Sequence, residues 1–349
     1  MYICRSKNSP LHAELQKYHL FDEVVHSEPA YLHLYILMIT RRHIRIKVLH
    51  HLFAQSTDDS MDAALLLKNL NKSLNEVHRL FAWDISAFLR LHEEAERQYQ
   101  RVSERQQPDY ALMERIAKFT QLKFWTLCKE SAALNTLVEG SYARWADYDQ
   151  HFRKQWDTLF ASESYENFVQ STPDFTQQKR FIREVYQLYI AENELLHDIY
   201  EDEQAAWSDD LDAAQMMSGK VIASWKEDAE QLIVPSLYKD ESDAAFGALL
   251  ARKYFEFNTD SQKRIESKSR NWESDRIAKM DIMLMKLCIA EWRGFEEIPM
   301  KVSLNEYLDL SKQYSTPKSS AFINGILDKI VTNLQEDGLI NKVGRGMIQ

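Results

Sequence analysis

The chain has 349 residues and a formal net charge of −10, from 43 Lys and Arg against 53 Asp and Glu. Its 8 glycines and 7 prolines fall well below ordinary usage, so the punctuation that turns and sheets require is scarce and an all-α fold is expected. The same scarcity excludes glycine-rich phosphate cradles, since no G-x-G-x-x-G occurs and Gly219-Lys220 has Ala214 where a Walker loop needs its first glycine.

Three cysteines, Cys4, Cys128 and Cys288, are odd in number and lack C-x-x-C spacing, which argues against a disulfide framework or a zinc site and for a reducing, cytoplasmic setting. The apolar run from Tyr31 to Ile39 is interrupted by His33 and is far too short to span a bilayer. Residues 1–37 carry two prolines and little periodicity, so they read as a leader outside the fold. A short helix follows from about Arg41 to Ala54. The cluster Ser56-Thr57-Asp58-Asp59-Ser60 supplies turn and capping residues, and a long helix then carries Leu66, Leu70, Leu74, Val77, Phe81, Ile85 and Phe88 at helical spacing. These form an N-terminal helical part over 38–104, before a helical block over 105–239.

Pro108, Pro173, Pro235 and Pro299 are almost evenly spaced, which prompts a search for repeats. At an offset of 65, Phe181, Tyr189, Asn193, Trp207, Asp210 and Ala213 match Phe246, Tyr254, Asn258, Trp272, Asp275 and Ala278. A duplication predicts the same stacking of helix pairs in both copies; shared apolar phase alone explains the match equally well.

The segment 240–340 is the most legible. Ile277, Met280, Leu284, Leu287 and Cys288 form one core-facing stripe, and Ile323, Ile326, Leu327, Ile330 and Leu334 form another. Ser303-Leu304-Asn305-Glu306 reads as a capping box, and Ser315-Thr316-Pro317 as a cap followed by proline at the first helical position. Gly325, inside the last helix, costs about 1 kcal/mol against alanine and predicts a close helix–helix approach. Residues 341–349 read as a basic tail.

The strongest local anomaly in charge is the stretch from Pro29 to Thr57, which holds Arg41, Arg42, Arg45 and Lys47 and no acid. Arginines three and four apart share one helix face and repel one another, and a phosphate chain would relieve that repulsion. An ordinary solvated face with snorkelling arginines is the plainer alternative. Two E-x-x-H pairs, Glu23–His26 and Glu194–His197, are the kind a di-iron bundle uses, but chance supplies about that many at this acid content. No G-x-S-x-G elbow or H-E-x-x-H is present, and the eight tryptophans read as core. No enzyme, cofactor or metal is expected.

Two stretches resemble the NusB transcription antitermination family. The family's first helix, R-R-x-A-R-E-x-A-x-Q-x-L-[YF], is similar to Arg41 through Phe53, with its arginine spacing and closing Leu52-Phe53 retained. Lys301-Val302-Ser303-Leu304-Asn305-Glu306-Tyr307 through Lys312, and Phe322-Ile323-Asn324-Gly325-Ile326-Leu327-Asp328-Lys329-Ile330, resemble two further family motifs. Lys318 stands where some members have an acid. The block over 105–239 has no counterpart in a short NusB and resembles the enlarged form of the family.

That resemblance implies an all-helical bundle with an inserted helical block, in which the basic helix lies near the start of the last helix. It implies a binding function: a transcription antitermination factor acting with the ribosomal protein NusE, within the elongation complex, on boxA-type single-stranded RNA of ribosomal RNA transcripts. By position, Arg41, Arg42, Arg45 and Lys47, with Lys318 and Phe322, would meet RNA. Phe53, Asp275 and Asp281 would face the protein partner. The competing expectation is a helical interaction scaffold that works through the 105–239 block.

Overall fold

A computed structural model describes residues 39–57, 62–269 and 277–343. The expected leader, the last six residues of the tail, and Trp272 and Asp275 lie outside the described residues. The described chain is all-α, with no strand among the described residues.

Helix α1 (Arg41–Gln55) and α2 (Ala63–Ser103) appear where the periodicity places them. Asp62 caps α2 by accepting from the Leu65 amide at 2.7 Å, and the absence of proline or glycine lets the helix run for 41 residues. After it come α3 (Tyr110–Thr120), α4 (Lys123–Glu130), α5 (Ala132–Tyr142), α6 (Asp149–Phe160), α7 (Glu163–Gln170) and α8 (Phe175–Tyr186). A π-turn at Gln187–Ala191 leads into α9 (Glu194–Glu203) and α10 (Leu211–Ser224). The C-terminal set is α11 (Glu241–Lys268), α12 (Lys279–Gly294), α13 (Met300–Tyr314) and α14 (Ser319–Glu336).

The apolar side chains gather in two clusters that divide within α2. Leu66, Leu70, Leu74 and Val77 pack with α1 and α11 to α14 in a core of mostly aliphatic residues. From Leu80 onward, α2 packs with α3 to α10 around Trp83, Trp125, Trp145, Trp156, Trp207 and Trp225. The second core therefore begins some 25 residues before the boundary expected at 105, because a single helix serves both and no break marks the change.

Three local expectations are corrected. Helix α13 starts at Met300 behind Pro299, so Ser303 is not a cap but a buried residue of the first turn. Gly325 has nothing within 4 Å of where a Cβ would stand. The close approach occurs instead at Gly247 of α11, where a Cβ would lie 2.8 Å from Ile44 Cγ2 of α1. The duplication also fails: Asn193 caps α9 at a break between helices, whereas Asn258 lies inside the unbroken α11.

Candidate nucleic-acid interface

Thr40 starts α1 by accepting from the His43 amide at 3.3 Å, while His43 Nδ1 approaches the Thr40 backbone nitrogen at 3.3 Å. Burial, together with the charges of Arg42, Lys47 and Lys220, pushes the His43 pKa down to about 4, so this ring is neutral near pH 7. The four cations of α1 then diverge around the helix, because residues 41 and 45 face one way and 42 and 47 others.

Arg45 is buried and reaches Glu291 of α12 through two hydrogen bonds, Nε donating at 2.8 Å and Nη2 at 2.6 Å. Ser303 Oγ donates to the same carboxylate at 2.7 Å and Tyr307 Oη at 2.9 Å. Burial alone would raise the Glu291 pKa; the hydrogen bonds and charge of Arg45, with those two hydroxyls, outweigh it and hold the carboxyl below its ordinary value. Lys47 is also buried, its ammonium donating to Asp210 at the start of α10 at 2.6 Å. Burial raises the Asp210 pKa to about 6, with Lys47 opposing the shift.

The expectation that Arg45 and Lys47 line an RNA surface is thus corrected: both are interior ties, one to α12 and one to the aromatic block. Asp281 is corrected on the same ground. It is 5% exposed and accepts from Ser319 Oγ at 2.9 Å and from Ser315 Oγ, so it organises the entry to α14 and does not face solvent. Asp275 lies outside the described residues.

Arg41 and Arg42 stay half-exposed. Arg41 pairs with Asp243 of α11 at 2.7 Å, and Arg42 lies 3.7 Å from Glu306 and 3.9 Å from Asp309 of α13. Lys318 is exposed immediately before α14, Phe322 is half-buried on that helix, and Phe53 is 39% exposed near the end of α1. Helix α1 runs antiparallel to α12, with Arg45 against Glu291 at one end and Ser56 accepting from Lys279 at the other. It runs parallel to α13, with Arg42 beside Glu306 and His50 edge-on to Tyr314 at 5.2 Å between ring centroids. The opening of α14, reached through Tyr314, therefore adjoins the C-terminal half of α1. Arg41 and His50 are about 13 Å apart along the axis at 1.5 Å per residue, so the arginines and Lys318 mark two ends of a track.

Sequence reasoning missed Asp210, Asp243, Glu291 and Glu306 as partners of α1, and Ser303 and Tyr307 as the hydroxyls that share Glu291. One signal was available: Glu291 interrupts the otherwise apolar run from Leu287 to Trp292, and an acid in a buried stripe calls for a cation or hydrogen-bond donors buried with it. Among the described residues no group of three or more His, Cys, Asp or Glu side chains could hold a metal, and no helix is long and apolar enough to cross a membrane.

The fold and this edge define a helical bundle built around an arginine-bearing first helix that buried ion pairs hold in place. The NusB family model matches residues 212–332, beginning inside α10, before the boundary expected at 240. The chain is 39% identical over 125 residues to the transcription antitermination protein NusB of Salinibacter ruber, covering 35% of this chain and 78% of that protein. It is 42% identical over 89 residues to the NusB of Chloroherpeton thalassium, covering 26% of this chain and 42% of that protein. To the NusB of Natranaerobius thermophilus it is 44% identical over 72 residues, covering 21% of this chain and 52% of that protein. No solved structure matches the chain. The chain belongs to the NusB family.

Proposed function

We propose that this protein is an RNA-binding transcription antitermination factor that holds boxA-type single-stranded RNA of ribosomal RNA transcripts along α1, acting with the ribosomal protein NusE in the elongation complex. Membership of the NusB family carries the reading. The half-exposed guanidinium groups of Arg41 and Arg42, with Lys318 toward the other end of the helix, give it a physical form. Phosphates would displace the long contacts of Arg42 with Glu306 and Asp309, since single-stranded RNA is held by cationic grooves with aromatic faces beside them. Phe322 on α14 and Phe53 near the end of α1 offer aromatic faces, and Phe53, 39% exposed, is exposed enough to serve a protein partner instead.

Three neutralised phosphates predict a slope of log K against log salt near −2, from about −0.7 per phosphate on a single strand. Fluorescence anisotropy of a labelled boxA RNA at two salt concentrations, with and without NusE, measures it. The Arg41→Ala, Arg42→Ala double variant, shown folded by circular dichroism, is expected to bind at least tenfold more weakly, and Lys318→Asp to weaken binding as well. Unchanged affinity in both would defeat the RNA reading and favour a scaffold that works through the aromatic block.

A further inference from the structure

Between α11, α12 and the last turn of α1 lies a cavity of about 530 Å³, within the ~300–1,000 Å³ of small-molecule pockets. Its walls follow from helical spacing. Lys279, Ile282, Met283 and Lys286 fall on one stripe of α12, and Tyr254, Asn258 and Gln262 on a facing stripe of α11, with Phe255 beside them. The last turn of α1 closes one end with Leu52, Gln55 and Ser56. Three kinds of surface therefore meet here. Leu52, Ile282 and Met283 are apolar, Tyr254 and Phe255 supply two rings set edge-on at 5.7 Å between centroids, and Asn258 and Gln262 carry amides one turn apart.

The two ammonium groups are the anomaly. Lys286 is half-buried and donates to Asn258 Oδ1 at 2.8 Å, and Lys279 donates to the Ser56 carbonyl. Both acceptors are neutral, and neither lysine has an ion pair among the described residues. Other cations of the same helices are matched: Lys253 by Glu256, Arg264 by Asp260 and Asp337, and Arg293 by Asp260. Burial lowers the Lys286 pKa, with the charge of Glu266 opposing the shift; Glu266 is exposed and accepts from Gln262 at 2.6 Å. A partly desolvated cation with only neutral acceptors is one that an anion stabilises. Inorganic phosphate alone would leave the rings and apolar side chains uncovered, and a purely apolar anion would leave the amides unused. A flat heterocycle with donors and acceptors on its edge, carried on a phosphate ester, matches all three.

We propose that this cavity binds a nucleoside 5′-phosphate, either free or as one unit of an RNA strand. The base stacks on the aromatic wall with Asn258 and Gln262 at its edge, and the phosphate is taken by Lys279 and Lys286. Those lysines are two turns apart, about 10 Å along α12, a span that two flexible four-carbon side chains close onto one phosphate. The site is separate from the α1 track. Asp281, which accepts from Ser319 beside Lys318, lies roughly 150° around α12 from the cavity stripe, so α14 and the cavity meet different sides of that helix. The proposal accordingly stands whether or not α1 carries RNA.

Calorimetric titration of the full chain at low salt tests this with three probes: the four ribonucleoside 5′-monophosphates, their unphosphorylated nucleosides, and inorganic phosphate. At least one monophosphate is expected to bind at least tenfold more tightly than both phosphate and its own nucleoside. Lys279→Gln, Lys286→Gln, shown folded by circular dichroism, is expected to lose at least tenfold. Lys301→Gln, Lys329→Gln, which removes two exposed cations of α13 and α14, keeps affinity within threefold. A labelled twelve-residue homopolymer RNA of the preferred base, read by anisotropy, separates the two sources. A loss specific to the first variant with this RNA assigns the site to a strand, and a loss confined to the monophosphate assigns it to the free nucleotide. Phosphate binding as tightly as every monophosphate, equal losses in the two double variants, or no loss with either nucleotide probe would overturn the proposal.

Discussion

Glu291 in the aliphatic core and Asp84 in the aromatic core are both buried carboxylates, and they are held in opposite ways. In the aliphatic core, Glu291 is enclosed by a guanidinium and two hydroxyls, each within hydrogen-bond distance. In the aromatic core, Asp84 of α2 accepts from Tyr186 at 2.6 Å and Ser218 at 2.5 Å through one oxygen, while Oδ1 has no hydrogen-bond partner among the described residues. No cation among the described residues pairs with it. Burial consequently raises its pKa to about 6, with the surrounding hydroxyls opposing the shift. The lesson is that the same residue type is an ionised strut where a cation enters with it and a titrating group where only hydroxyls do.

Arg45→Ala should break this contrast most severely, since it leaves the buried Glu291 with no cation and only the Ser303 and Tyr307 hydroxyls: about 3–5 kcal/mol of stability lost in urea titrations. Replacing both partners together, Arg45→Met with Glu291→Leu, should cost much less. A loss under 1 kcal/mol for the single variant would mean that the pair is not the tie described.

Acid titration sharpens the other half. The folded pKa of Asp84 lies above its ordinary 3.8, so its contribution is full below about pH 4 and disappears as pH rises through about 6, a swing of ~3 kcal/mol at ~1.4 kcal/mol per unit. Burial lowers His43, His51 and His92 to about 4; their contributions are full above about 6.5 and fail as pH falls through 4. The two sets oppose each other between pH 6.5 and 4. Asp84→Asn removes the acid-side gain, so its melting temperature should fall more steeply than the wild type's from pH 7 to pH 5. Parallel curves would contradict the assignment.

Two glycines give the smaller tests. Gly247→Ala must displace Ile44, a stiff β-branched side chain in a packed core, and is expected to cost about 1–3 kcal/mol. Gly325→Ala meets open space on the exposed face of α14 and should stabilise by up to about 1 kcal/mol. Reversal of those signs in thermal melts would place the α1–α11 contact elsewhere.

Much of the helical framework was legible because it rests on local periodicity: α1, the long α2 and the final helix follow from the spacing of Leu66 to Phe88 and of Ile323 to Leu334. The division of cores within α2 was not, since Val77 and Leu80 continue a single stripe and only tertiary partners differ. The arginine cluster was visible, but which members face inward depended on acids 163 to 261 residues away, at Asp210, Asp243, Glu291 and Glu306. Capping motifs misled at Ser303 because a buried carboxylate claimed its hydroxyl.

Helix α2 crosses from one core to the other without proline or glycine, and 41 residues at 1.5 Å each make a strut of about 60 Å. A continuous strut fixes angle as well as distance. Whatever grips the helices of the aromatic core is thereby aimed with respect to α1, like a load at the end of a boom, and it moves only if the whole beam moves.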